Sequence, residues 1–128
     1  MAASAPDELH ALVEAAFNAR DLDRLVDLYD EDATLIVPPH GSRATGKPAI
    51  REAIKATLAL EPKARMEVLD KLETDGLALT QGHWTMVGTG ADGAPVVMSG
   101  RGTMVSRCRP DGSWKIVLDN PMSFERVP

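Results

Sequence analysis

Several residue types are scarce in this sequence, and each scarcity excludes a class of protein. The chain has one cysteine, Cys108, in 128 residues, which excludes an internal disulfide framework and any zinc site built from cysteines. No apolar run reaches the length of a membrane span, and the N-terminal segment lacks the basic and hydrophobic regions of a signal peptide. We therefore expect a protein of a reducing compartment, the cytoplasm, that makes no contact with a membrane.

Basic charge is also scarce. Lys and Arg number 14 against 19 Asp and Glu, so the net charge is −5, and no run of Lys or Arg occurs. Nucleic acids and anionic membrane surfaces both attract basic patches, so the composition argues against both as partners. A length of 128 residues with 44% hydrophobic content predicts one compact domain, residues 1–128.

Acidic charge is concentrated in one stretch, "DLDRLVDLYDED", residues 21–32. Asp21, Asp23 and Asp32 occupy positions one, three and twelve of a twelve-residue window, as in an EF-hand calcium loop. Leu25 stands at position five, where a ligand oxygen is needed, and Val26 at position six, where the sharp turn needs glycine. The spacing therefore does not support a calcium site.

The same stretch is typical of an amphipathic helix. Leu22, Leu25, Val26 and Tyr29 recur at i, i+3, i+4 and i+7, which places them on one core-facing stripe. Asp21 then caps the helix N-terminus. Most of the carboxylates form a water-facing surface rather than a catalytic cluster.

Two further helices and a short strand complete the first half of the chain. Helix one is predicted from the stripe Leu9, Leu12, Val13, Ala16 and Phe17. A strand follows helix two over 33–37, "GSRATG" reads as a loop, and a third helix begins at Pro48 and ends before Pro62.

Asp-Gly pairs at 75–76, 92–93 and 111–112 separate β-type runs in the second half, and Asp-Gly is a strong hairpin signal. They predict four consecutive antiparallel strands at roughly 64–74, 77–88, 95–109 and 113–120. Helices followed by a meander indicate an α+β fold, with the three helices packed on one face of a curved sheet.

Alternation along the strands predicts which side chains face inward. In the last strand, Trp114, Ile116, Leu118 and Asn120 share the apolar face, and Asp119 is expected to point outward. In the third strand of the meander, glycines and methionines share one face, which leaves space for a small apolar ligand. These inner positions are Met98, Gly100, Gly102 and Met104.

Three segments together resemble a known family. They are "FNARDLDRLVDLYDEDATLIVPPHGSRATGKPAIREAI", "GHWTMVGTGADG" and "SGRGTMVSRCRPDGSWKIVLDN". The chain is similar to the nuclear transport factor 2-like superfamily, in its branch of SnoaL-like proteins and ketosteroid-isomerase homologues. The resemblance implies a cone-shaped curved sheet wrapped around three helices, an internal apolar pocket, and a homodimer formed through the sheet. Members of the family include isomerases, polyketide cyclases, dehydratases, epoxide hydrolases and non-catalytic binding proteins.

The residues of steroid isomerisation do not carry over to this chain. In the steroid isomerases to which the resemblance points, three residues transfer the proton. They are a tyrosine in helix one, an aspartate base before the proline after the first strand, and a second acid in the third strand. Val13, Val37 and Met104 stand at these positions. None of them donates or accepts a proton, so we expect a pocket without steroid isomerase activity.

The candidate site residues follow from these patterns. Catalytic candidates are His40, Tyr29 and Asn120, since each carries a group that donates or accepts hydrogen bonds. Predicted ligand-binding residues are Trp84, Asn120, Tyr29, Met86, Gly102 and Met104. His10 is expected to be solvated and His83 to lie on the outer face of the sheet. The three histidines share no metal spacing, so no metal site and no cofactor are predicted.

Two classes of function stay open. One is a protein that binds a small apolar molecule; the other is a cofactor-independent acid-base enzyme acting on a small apolar oxygenated substrate. We also expect a homodimer that pairs through the outer face of the sheet, where Gln81, His83, Arg101 and Thr103 are predicted to lie.

Overall fold

The fold consists of three helices and six strands. A computed structural model describes residues 2–122. The elements in chain order are α1 (Glu8–Asn18), α2 (Leu22–Asp27), β1 (Tyr29–Val37), β2 (Ser42–Thr45), α3 (Lys47–Leu58), β3 (Lys63–Thr74), β4 (Leu77–Thr89), β5 (Pro95–Cys108) and β6 (Trp114–Asn120).

Three helices form at the three predicted apolar stripes, but the prediction that Tyr29 belongs to helix two is wrong. In α2 the Asp21 side chain accepts a hydrogen bond from the Arg24 backbone N–H at 3.1 Å, which confirms the predicted N-cap. The helix ends at Asp27, and Tyr29 begins β1, four residues before the predicted start of that strand. Tyr29 is buried, so its position in the apolar pattern suits a strand as well as a helix.

The strands form one curved mixed sheet in the order β2-β1-β6-β5-β4-β3. The predicted antiparallel meander β3 to β6 is confirmed. The β3–β4 turn has positive φ at both Asp75 and Gly76, 46° and 75°, as the favoured hairpin turn requires. One neighbouring pair, β1 with β6, is parallel, so the sheet is not wholly antiparallel.

The prediction that "GSRATG" forms a loop is wrong. Ser42–Thr45 form strand β2, which pairs antiparallel with β1 at the edge of the sheet. Of these four residues only Ala44 is buried, so the apolar pattern carries little strand signal there, and the backbone pairing decides the structure.

A β-bulge in β6 changes which of its side chains face inward. Val105 pairs with Leu118 and Ser106 with Ile116, so Val117 is an extra residue in β6. An extra residue shifts the alternation by one and moves later side chains to the other face. Leu118 is therefore 52% exposed, and Asp119 lies opposite the buried Met104. The predictions that Leu118 faces inward and that Asp119 faces outward are both wrong.

Helix α1 packs against the concave face and holds the edge strand β3 through side-chain contacts. Glu14 Oε1 accepts from the Met66 N–H at 2.7 Å. The Asn18 amide accepts from the Ala64 N–H at 2.7 Å and donates to the Ala64 carbonyl at 3.0 Å. The core lies between the helices and the concave face, and the cavity described below opens within it.

Candidate functional site

A cleft of about 100 Å³ lies between the helices and the concave face of the sheet. Its walls are predominantly apolar side chains from α1, β1, α3 and the meander. They include Val13, Phe17, Leu35, Val37, Ile54, Met66, Trp84, Met86 and Met104. A few polar groups enter this surface, chiefly His10, Tyr29 and Asp119. Concave apolar sites with a few fixed polar groups are typical of small-molecule binding.

Tyr29 and Asp119 form a hydrogen-bonded pair in the cleft. The Tyr29 hydroxyl donates to Asp119 Oδ2 at 2.6 Å. Burial raises the pKa of Asp119 to about 6, and the hydrogen bond from Tyr29 acts in the opposite direction, because it stabilises the ionised carboxylate. Burial, and then the neighbouring Asp119, raise the pKa of Tyr29 well above its usual value, so the phenol stays a donor near neutral pH.

The pairing of β6 with its neighbours explains how the two residues meet. Tyr29, the first residue of β1, lies opposite Ile116 in the parallel pair. Beyond that point the bulge at Val117 turns Asp119 toward the concave face. Asp119 keeps partial exposure because its carboxyl lines the cleft instead of packing inside the core.

His10 is also part of the cleft, so the expectation that it is solvated is wrong. The residue is 7% exposed, and its Nε2 lies 2.7 Å from Thr80 Oγ1. Burial lowers the pKa of His10, partly opposed by the nearby Asp7 carboxylate. Gly82 makes room for the ring, since a Cβ there would stand 3.1 Å from both Cε1 and Nδ1 of His10.

The chain after β6 crosses the inner face of β5 and meets Trp84. The Trp84 indole N–H donates to the Pro121 carbonyl at 2.8 Å. A Cβ on Gly102 would lie 2.6 Å from Pro121 Cα, so the crossing requires glycine at this position. Part of the room that was predicted for a ligand beside Gly100 and Gly102 is therefore taken by the backbone of residues 120–121.

The structure brings most of the predicted ligand-binding residues together. Those that line the cleft are Trp84, Tyr29, Met86, Gly102 and Met104; as ligand contacts they stay predictions. Asn120 lies outside the lining, and its side-chain oxygen accepts from the Met122 N–H at 3.1 Å. His40 is exposed in the turn after β1, also outside the lining.

Sequence reasoning missed the two ionisable side chains that line the cleft and form hydrogen bonds with Tyr29 and Thr80, namely Asp119 and His10. No feature of the sequence marks the bulge that turns Asp119 inward. For His10 a signal exists: it lies three and seven residues before Val13 and Phe17, on the face of α1 that lines the cleft.

The three positions that correspond to the steroid isomerase residues lie in the cleft. Val13, Val37 and Met104 all line the cleft and present apolar side chains.

Within residues 2–122, no group of three or more His, Cys, Asp or Glu side chains could hold a metal ion. None of the helices in that range is long and apolar enough to cross a membrane.

Solved structures of very similar fold come from several bacteria. A ketosteroid isomerase-like protein from Erwinia carotovora atroseptica superposes with a TM-score of 0.78 at 19% identity, covering 88% of each chain. An NTF2-like protein with a cystatin-like fold from Novosphingobium aromaticivorans gives a TM-score of 0.74 at 19% identity, covering 94% of this chain and 80% of that one. A candidate dehydratase of the NTF2-like family from Streptomyces avermitilis gives 0.73 at 16% identity, covering 89% and 90%.

These likenesses, with the curved sheet around three helices, define an NTF2-like, ketosteroid isomerase-like fold. A family model for the SnoaL-like domain matches residues 9–117, so the chain belongs to the SnoaL-like domain family. Among curated proteins, no sequence relative matches the chain.

Proposed function

We propose that this protein binds a small, mostly apolar molecule bearing an oxygen function and transfers a proton on it through Asp119. The observation that carries the proposal is a carboxyl group in an apolar cleft, oriented by the Tyr29 hydroxyl at 2.6 Å. Burial raises the pKa of this carboxyl to about 6. A general base works best when its pKa lies near the working pH, and Asp119 meets that condition better than an exposed carboxylate.

The chemistry assigned to the pair is simple. Ionised Asp119 takes a proton from a carbon next to a carbonyl group and returns it after the bonds rearrange. Tyr29 stays protonated and holds the carboxylate in one orientation. The predominantly apolar walls lower the local dielectric constant, which strengthens electrostatic interactions within the cleft. This proton transfer needs no metal and no organic cofactor.

The named neighbours support this class of reaction. One is described as ketosteroid isomerase-like and another as a candidate dehydratase; isomerisation and dehydration next to a carbonyl both begin with such a proton transfer. The apolar Val13, Val37 and Met104 in the cleft favour a reaction other than steroid isomerisation.

Deuterium exchange tests the proposal without knowledge of the natural substrate. 4-Phenylbutan-2-one is incubated with the protein in D₂O, and proton loss beside the carbonyl is followed by NMR. In a second assay, 4-hydroxy-4-phenylbutan-2-one is the substrate, and its dehydration is followed by the absorbance of the conjugated enone that forms. Asp119→Asn should remove any rate above the buffer background, whereas Asp111→Asn, at an exposed turn, should not. Equal rates with wild-type protein and Asp119→Asn would exclude Asp119 as the base.

Binding without catalysis is the second candidate, favoured by the apolar residues at the three positions of steroid isomerisation. Trp84 lines the cleft and serves as the fluorescent probe in a Trp114→Phe background. Steroids, terpenoids and aromatic polyketides are titrated against it. A response of Trp84 with no exchange or dehydration of either ketone would support this candidate over the first.

We also propose that the protein forms a homodimer through the convex face of the sheet. Leu72 pairs with Leu79, Leu79 with Val105 and Val105 with Leu118, which makes one apolar row across four strands. Leu72 and Leu118 are 63% and 52% exposed in the monomer. Exposed apolar patches of this kind are typical of protein interfaces. The predicted dimer residues Gln81, His83, Arg101 and Thr103 lie in the neighbouring rows of the same face. Separately, we propose a cytoplasmic location, because the chain has a single cysteine, and one compact domain over residues 1–128, because the described helices and strands share one core.

A further inference from the structure

A second polar pair, His10 and Thr80, lies on the far side of Met104 from Tyr29 and Asp119; His10 lines the cleft, and Thr80 is fully buried. Thr80 pairs with Met104, and Met104 pairs with Asp119, so the three form one inward-facing row across β4, β5 and β6. Adjacent strands lie about 4.8 Å apart, so Thr80 and Asp119 are separated by about 10 Å. His10 contacts Thr80 at one end of the row, and Tyr29 contacts Asp119 at the other. The row has two polar ends and an apolar centre.

The hydrogen bonds around Thr80 favour a proton on Nε2 of His10. The Thr80 hydroxyl has a single hydrogen and lies 3.4 Å from the Met104 carbonyl, which can only accept. Both contacts of the hydroxyl are satisfied when it donates to Met104 and accepts from His10 Nε2–H. Nδ1 of the neutral ring is then an unprotonated acceptor.

The acceptor nitrogen lies beside the cleft. The Cε1–Nδ1 edge of the ring faces Gly82, and both His10 and Gly82 line the cleft. Within residues 2–122, the Ser106 hydroxyl is the one fully buried side-chain N or O atom that has no hydrogen-bond partner. His10 Nδ1 is not such an atom, so it is not fully buried, although the residue as a whole is buried.

We infer that His10 is the second polar anchor of the cleft and accepts, through Nδ1, a hydrogen bond from a hydroxyl group of the ligand. The ligand is then a hydroxylated apolar molecule, with its hydroxyl at His10 and its reacting oxygen function near Asp119. Its apolar body lies over Met104. This inference rests on the proposed function, because it requires a ligand in the same cleft.

The tautomer of His10 can be measured without any ligand. Nitrogen-15 chemical shifts of the imidazole distinguish a protonated Nε2 from a protonated Nδ1 in the neutral ring. The expected result is protonated Nε2 and bare Nδ1 in wild-type protein. In Thr80→Val the acceptor for Nε2–H is lost, so the proton should move to Nδ1. A wild-type ring protonated at Nδ1 would overturn the inference.

Three ketones of the same shape test the ligand class through Trp84 fluorescence in the Trp114→Phe background. They are 4-phenylbutan-2-one, its 4-hydroxyphenyl analogue and its 4-methoxyphenyl analogue, which differ only at the end remote from the carbonyl. A hydrogen bond contributes about 0.5–1.5 kcal/mol net, so the hydroxyphenyl ketone should bind about 3- to 10-fold more tightly than the phenyl ketone. The methoxyphenyl ketone has no hydrogen to donate and should show no gain.

His10→Gln is the decisive variant. The Gln side-chain amide can still donate to Thr80 Oγ1, and its oxygen does not occupy the position of Nδ1, so the contact with Thr80 is kept while the acceptor at that position is lost. The hydroxyphenyl and phenyl ketones should then bind equally well, so the preference for the hydroxyphenyl ketone disappears. The preference should persist in Asp119→Asn. Loss of the preference in Asp119→Asn but not in His10→Gln would put the hydroxyl at Asp119 and overturn the inference.

The outcomes separate this inference from the proposed function. If the phenyl and hydroxyphenyl ketones bind equally well, or if the methoxyphenyl ketone binds as tightly as the hydroxyphenyl ketone, the acceptor role of His10 is wrong and ligand binding stands. If none of the three perturbs Trp84 and none exchanges deuterium, the proposed function fails and this inference fails with it.

Discussion

At the scale of single residues, the protonation of Asp119 dominates the behaviour of the cleft. Its carboxyl is surrounded mainly by apolar side chains, and its one hydrogen-bond donor among the described side chains is the Tyr29 hydroxyl. Desolvation outweighs this hydrogen bond, since the pKa is raised from 3.8 to about 6. The folded protein therefore binds this proton more tightly than the unfolded chain does.

The raised pKa predicts how Asp119→Asn changes stability with pH. The bound proton contributes to the free energy of unfolding. This contribution is fully present below about pH 4 and is lost as the pH rises through about 6, because the folded state must then hold a partly buried carboxylate. Asparagine avoids that ionisation and still accepts from Tyr29. The stability of the variant relative to wild type should rise by about 1 kcal/mol between pH 5 and pH 8. Thermal unfolding at both pH values measures this change, and Asp111→Asn is the control. A difference between Asp119→Asn and wild type that does not change with pH would contradict the raised pKa.

Tyr29→Phe should move the pKa of Asp119 further upward. The phenol donates to the ionised carboxylate and so favours ionisation; without it, desolvation acts unopposed. The acid limb of the deuterium-exchange profile should shift to higher pH, and carbon-13 NMR of the Asp119 carboxyl should titrate above the wild-type value. A shift to lower pH would mean that the hydrogen bond does not stabilise the carboxylate.

At the scale of elements, strand β6 and the segment after it shape the cleft. The extra residue Val117 turns Asp119 inward, and the backbone of 120–121 then crosses β5 where Gly102 has no side chain. Trp84 links this crossing to β4 through its hydrogen bond to Pro121. The site therefore depends on a local irregularity of one strand and on close backbone contact.

Gly102→Ala should displace that crossing. The added Cβ would stand 2.6 Å from Pro121 Cα and 2.9 Å from the Asn120 carbonyl, contacts that are too short to keep without a backbone shift. We expect a loss of stability of about 1–3 kcal/mol and a shift of Trp84 emission in the Trp114→Phe background. Ser99→Ala, on the exposed face of the same strand, should change neither quantity. Unchanged Trp84 emission in Gly102→Ala would show that the indole does not depend on the crossing segment.

At the scale of the whole molecule, the sheet has two faces with different roles. The concave face carries the helices, the core and the cleft. The convex face carries the apolar row of Leu72, Leu79, Val105 and Leu118. A monomer would leave that row in contact with water, at a cost of roughly 25 cal/mol for each Å² of apolar surface.

Leu118→Asp should therefore shift the proposed dimer toward monomer. A charge in the apolar row would have to be desolvated on association, which weakens an interface by several kcal/mol unless the charge is paired. Sedimentation velocity at tens of micromolar should show a dimer for wild type and a smaller species for the variant. Ala49→Asp introduces the same charge on the exposed first turn of α3 and should leave the dimer intact. A monomeric wild-type protein at this concentration would refute the dimer.

The sequence by itself determined the element order and the meander. Helical stripes place Leu9, Val13 and Ile54 in the core through a period that each segment carries alone. The Asp-Gly pairs mark the hairpins because their backbone tolerates positive φ. The resemblance to the SnoaL-like family rests on these same segments, and the family model confirms it.

Only the tertiary structure decided the polar half of the site. Asp119 faces the cleft because β6 has an extra residue, Val117, in its pairing with β5; the pairing of β6 with β1 is also irregular, between Tyr29 and Thr34. His10 is buried because α1 packs over Gly82 and Thr80, which lie about seventy residues further along the chain. Alternation and helical period describe one segment at a time. The strand register and the helix packing that turn these two side chains inward are set by contacts between segments, which no local pattern contains.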